Sequence, residues 1–118
     1  MAYLSTMDLN ALSLEDRRSW QLNAAAIKHA CADWPTAKII VAQNLDRMDL
    51  GRRVAPGYVS RCRDLLRLGP EAMKAAFLAL DDDGQVLRSI HPWAGLLPNA
   101  ERLAILRATR RPLADEAR

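Results

Sequence analysis

Six arginines fall between Arg47 and Leu68, in the segment RMDLGRRVAPGYVSRCRDLLRL, against two aspartates, Asp49 and Asp64. The flanks are balanced. Residues 1–46 hold four basic and five acidic side chains, and residues 68–118 hold seven of each. The net charge of +3 is therefore concentrated in one short stretch. Charges of one sign do not pack together in a core, so this stretch must lie on the surface. Guanidinium groups meet phosphate oxygens in a bidentate fork that ammonium groups cannot form. A focused cationic patch on helices is the footprint of a polyanion, most often nucleic acid. The bland reading is a solvated basic face paired with Asp49, Asp64 and acids elsewhere in the chain.

Other chemistry-bearing residues point nowhere as firm. Asp81-Asp82-Asp83-Gly84 offers consecutive acids. A calcium loop of the EF-hand kind needs alternating acids, glycine at position six and glutamate at twelve, a place that Pro92 would take here. The segment therefore reads as a solvated loop ending a helix. His29 and Cys31 lie two apart, on different faces of a helix, with no second pair at ligand spacing, so no metal is expected. His91, before Pro92 and Trp93, reads as a residue closing the core. No nucleophile–base pair, phosphate-binding glycine loop or paired catalytic carboxylates stand out. The expectation is a protein that is not an enzyme and carries no cofactor.

The elements that must position the arginines are helical. Ser13 caps a helix with Glu15 and Asp16 in its first turn. Trp20, Ala24, Ile27, Cys31 and Trp34 then recur at helical spacing and predict its buried stripe. Thr36–Leu45 is expected as a second helix and Asp46–Val54 as a short third, with Asp49 an internal cap. Ala55-Pro56-Gly57 reads as a turn. Tyr58–Leu68 is a helix whose Val59, Cys62, Leu65 and Leu66 share a face. Gly69 ends it and Pro70 opens the next, to about Leu80, burying Met73, Ala76, Phe77 and Leu80. Residues 85–97 are expected to be irregular, with one short helix near Pro92–Leu97. Pro98 opens a last helix to about Ala108. The fold class is all-α: a compact single domain of about six short helices, spanning 13–108. A loosely ordered N-terminus (1–12) and a charged C-terminal tail (109–118) flank it.

Length and composition set the remaining bounds. At 118 residues the chain can bury a core without staples. Cys31 and Cys62 are expected as reduced core thiols. Trp20, Trp34 and Trp93 are expected in the core, with a place at a partner interface as the alternative for one of them. No apolar run reaches the roughly 20 residues of a membrane span. MAYLSTMDLN has neither a basic start nor an apolar core of a secretory signal. A cytoplasmic protein without membrane contact is expected. Fourteen arginines against three lysines, with abundant alanine and leucine, point to a GC-rich bacterial genome or its mobile elements.

Within this frame, Tyr58-Val59-Ser60-Arg61, then Leu65-Leu66-Arg67-Leu68, then Pro70-Glu71-Ala72-Met73 resembles the recognition helix and adjoining segment of ParB-type partition proteins. Gly84-Gln85-Val86 through His91, Ala94, Leu96 and Leu97 is similar to the stretch on the C-terminal side of that motif. The resemblance covers residues 57–106 and implies a helix-turn-helix whose second helix enters the major groove. Gly57, Tyr58, Ser60 and Arg61 would then face base edges, with Asp64 one turn on. If Val54 lies in the turn, Asp49 and Arg53 fall where the motif has a small residue and a glycine. The family's nucleotide-handling region has no counterpart here.

The expected function is a small DNA-binding regulatory protein acting on duplex DNA, with a homodimer compatible with that role. Its DNA-binding residues would be Arg47, Arg52, Arg53, Tyr58, Ser60, Arg61, Arg63, Asp64 and Arg67. Arg61 would meet a base edge or phosphate, while Arg53 and Arg67 would meet phosphates. The alternative is a small helical protein–protein interaction module, an inhibitor or antitoxin-like protein of a mobile element, using the same basic surface.

Overall fold

The computed structural model describes the backbone of residues 12–116 and the side chains of residues 12–109. Six helices succeed one another: α1 (Leu14–Ala32), α2 (Trp34–Gly51), α3 (Pro56–Leu68), α4 (Pro70–Phe77), α5 (Asp82–Ile90) and α6 (Asn99–Glu116). The described residues hold no strand. The fold is all-α, as the apolar spacing predicts. α1 is the central element and packs against α2, α4, α5 and α6, while α3 is held between α2 and α4.

Ser13 caps α1 as expected, its hydroxyl accepting from the Asp16 amide at 3.1 Å. Of the expected series only Ile27 is buried; the other buried residues of α1 are Arg17, Asn23, Ala26 and Ala30. Alanines at 26 and 30 let neighbouring helices approach closely. Asn23 is tolerated inside because its amide donates to the Ser19 and Arg88 carbonyls and its oxygen accepts from Trp93. Trp20 is half-buried and donates to the Leu78 carbonyl at 3.0 Å. Cys31 is exposed, so it is not a core thiol; Cys62 is buried.

The two helices expected over 36–54 are one. α2 runs unbroken from Trp34 to Gly51, with Pro35 in its first turn. Asp49 does not cap an inner break; its carboxylate turns to Arg63 instead. No proline or glycine interrupts 36–50, and extending a helix is cheaper than starting one. α2 ends where Arg52 takes the left-handed conformation (φ 53°) and donates to the Asp49 carbonyl. The turn is thus 52–55, and Pro56 belongs to the first turn of α3, where its missing N–H costs nothing.

Gly69 (φ 113°) ends α3, and Pro70 opens α4. α4 stops at Phe77, so Leu80 lies outside it, half-buried. The expected loop at 81–84 and the irregular stretch after it are largely a helix. Asp81 caps α5 by accepting from the Gly84 amide at 2.8 Å, and Asp82 and Asp83 complement the positive end of the helix dipole. The acids that read as a solvated loop are a helix start. Residues 92–97 form successive turns rather than a helix. α6 continues past the expected end near Ala108 to Glu116, with Pro112 inside it. The expected loose N-terminus, apart from Leu12, lies outside the described residues.

The core joins Val41 and Leu45 of α2, Val59, Cys62 and Leu66 of α3, Met73 and Phe77 of α4, Leu87 of α5 and Trp93. Leu65 is partly buried against it. His91, after α5, is half-buried and left-handed (φ 46°). Burial alone holds its imidazole below the ordinary value of 6.5. The fold therefore favours the neutral ring. That contribution is complete above the unfolded value and is lost as pH falls through the lower folded value. The wild-type melting temperature is expected to fall more between about pH 7.5 and about pH 5 than that of His91→Asn. Asparagine also tolerates the left-handed backbone but does not titrate. Equal pH slopes for the two proteins would contradict this assignment.

Candidate nucleic-acid interface

α2, the turn 52–55 and α3 form a two-helix unit with one apolar side. Leu45, Val59, Cys62 and Leu66 are buried there, with Met48 and Val54 partly buried beside them. Burial pushes the Cys62 thiol up to about 11, against the lowering effect of Arg61. It stays protonated and serves packing. The opposite side of α3 is open: Gly57, Tyr58, Ser60, Arg61, Asp64, Arg67 and Leu68 are all exposed. The N-cap position, Ala55, provides no side-chain acceptor, and the start of α3 is left without a side-chain cap. Arg52 and Arg53, both exposed, stand in the turn directly before it.

The arginines divide by partner. Arg63 is anchored between helices, donating to Asp46 at 2.8 Å and to Asp49 at 3.3 Å on α2. The hydrogen bond it donates to Asp46 is the largest cause raising its pKa, and Asp49 adds to it. Arg67 pairs with Asp64 within α3. Arg61 pairs with Asp83 at the start of α5. Arg47 donates to the Asn44 side-chain oxygen, while the Asn44 amide donates to the Pro92 and Ala94 carbonyls at 2.9 Å each. Arg47 thus orients an asparagine that fastens the 92–94 turn to α2. Among the described residues, Arg52 and Arg53 form no ion pair.

The bihelical unit therefore brings Arg52, Arg53, Tyr58, Ser60 and Arg61 to one end, around the uncapped start of α3. It spends Arg63 and Arg47 largely on holding α2 to its neighbours. Val54 lies in the turn; in the alignment that the ParB-type resemblance implies, Asp49 and Arg53 then stand where the motif has a small residue and a glycine. Asp49 is accommodated because it is exposed and bonded to Arg63. The left-handed residue is Arg52, not Arg53. Asp46 and Asp83 lie outside the sequence-based site. Asp46 stands two turns and more before the arginine helix, and Asp83 is 22 residues from Arg61. Only the folded chain brings them together.

No family model, curated protein or solved structure matches this chain. No described helix is long and apolar enough to cross a membrane.

Proposed function

We propose that this protein is a small DNA-binding regulatory protein, with α3 placed in the major groove and the turn 52–55 against the phosphate backbone. The observation that carries the reading is the grouping of Arg52 and Arg53, which form no ion pair among the described residues, with the start of α3, which has no side-chain cap. Pro56 has no N–H and the Tyr58 amide donates to the Ala55 carbonyl, so a phosphate at this helix start would meet the Gly57 N–H and the positive dipole end. Tyr58, Ser60 and Arg61, on the first two turns of α3, are then the groups nearest base edges. The resemblance of 57–106 to the ParB-type segment supports the same placement. Regulation, dimeric action and a mobile-element origin belong to the proposal.

Binding of a labelled duplex, measured by fluorescence anisotropy across a salt series, tests it. Arg52→Ala and Arg53→Ala are expected to weaken binding to all sequences alike, each lowering the salt slope by about one. Arg61→Ala is expected to weaken a cognate site by about 1–3 kcal/mol if it reads a guanine. Absence of measurable duplex affinity at low salt would overturn the reading.

A second reading, a protein-interaction module, is favoured by a different observation. Leu50 and Leu68 are 85% and 74% exposed beside the arginines. Apolar side chains among guanidinium groups suit a protein partner better than a phosphate backbone. Retained duplex binding after Leu50→Ser and Leu68→Ser would favour DNA over that partner.

A further inference from the structure

Arg61 is the one arginine of α3 whose carboxylate partner comes from outside the two-helix unit. Its Nη2 donates to Asp83 on α5, and the two side chains are 44% and 50% exposed. The pair at Arg67 lies within one helix and moves with it, and the pairs at Arg63 lie between α2 and α3. Asp83, in contrast, is held by its own element. The Asp81 cap fixes the first turn of α5. Gly84 brings that turn so close to the link between α4 and α5 that an added Cβ would meet the Ala79 carbonyl oxygen at 2.1 Å. Arg88 ties the same helix to the carbonyls of Phe77 and Ala79. The carboxylate is thus presented from a fixed base rather than from a mobile loop.

We propose that Asp83 is a built-in competitor for the polyanion: a carboxylate held where a phosphate or base edge would engage Arg61. This rests on the DNA reading above. Carboxylate and phosphate oxygens are the same class of acceptor for a guanidinium. Exchanging one for the other on random duplex therefore gains little, and the freed carboxylate repels nearby phosphates. A correctly placed guanine adds a bidentate contact that compensates for the broken pair. Asp83 accordingly lowers the affinity of any duplex that must take Arg61 from it.

The test is a double-mutant cycle read by anisotropy with a random-sequence duplex at low salt. Asp83→Asn is expected to raise affinity about two- to fivefold, the range of an exposed ion pair. In the Arg61→Ala background the same change is expected to give a clearly smaller gain. Asp82→Asn, an equal change of charge on the exposed neighbouring carboxylate, is expected to fall short of the Asp83→Asn gain. Thermal melting confirms that each variant is folded. An equal gain in both backgrounds, an equal gain from Asp82→Asn, or no gain from Asp83→Asn overturns the proposal while leaving the DNA reading standing. A wild-type protein without duplex affinity overturns both.

Discussion

Trp93→Ala is expected to destabilise the protein by about 3–5 kcal/mol, the range for truncating a large buried aromatic. Trp93 is 1% exposed, and its ring meets Phe77 edge-on with centroids 5.1 Å apart. Its indole N–H donates to the Asn23 oxygen at 2.7 Å. Truncation leaves a cavity beside Phe77 and strips the buried Asn23 oxygen of its donor. It also loosens the 92–97 turns, which Asn44 fastens through the carbonyls on either side of the ring. Small domains have only about 5–15 kcal/mol in total, so the loss should be visible as a large fall in the urea midpoint. Trp93→Phe, which keeps most of the apolar volume and loses the donor, should cost about 1–3 kcal/mol. An alanine variant within about 1 kcal/mol of wild type would mean that Trp93 does not close the core.

Gly84→Ala is expected to cost about 2 kcal/mol, although helix propensity alone favours alanine over glycine by about 1 kcal/mol. Gly84 is buried in the first turn of α5. A Cβ there would lie 2.1 Å from the Ala79 carbonyl oxygen and 3.0 Å from Arg88 Nη1, and the first of these is backbone that cannot swing aside. The start of α5 would have to move away from Ala79, weakening the bonds from Arg88 to the Phe77 and Ala79 carbonyls. Arg88 is 2% exposed, and desolvation lowers its pKa against the pull of Asp16 and Asp81. Losing its acceptors would leave a poorly satisfied buried cation. The measurement is the unfolding free energy of the two proteins from denaturant titration. A gain in stability would mean that the close approach of α5 to Ala79 is absent.

The course of α3 and α4 could be read from local signals alone. Val59, Cys62 and Leu66 recur at helical spacing, and Gly69-Pro70 marks a helix end and then a helix start, each through its own backbone geometry. The arginine cluster and its exposure could be read equally from charge, because burying six guanidinium groups together is prohibitive. Short-range information did not suffice where packing chose among faces or partners. α1 carries apolar residues on more than one side, and only the helices laid against it decided that Asn23, Ala26, Ile27 and Ala30 go inside while Cys31 stays in water. Arg88 looks like any surface arginine until the carbonyls of Phe77 and Ala79, nine and more residues away, receive it. A helical domain with a cationic surface around Arg47–Leu68 follows from residue type and local spacing alone. Which arginines form no ion pair among the described residues follows from folding, because Asp46 and Asp83 reach Arg63 and Arg61 only across folded elements.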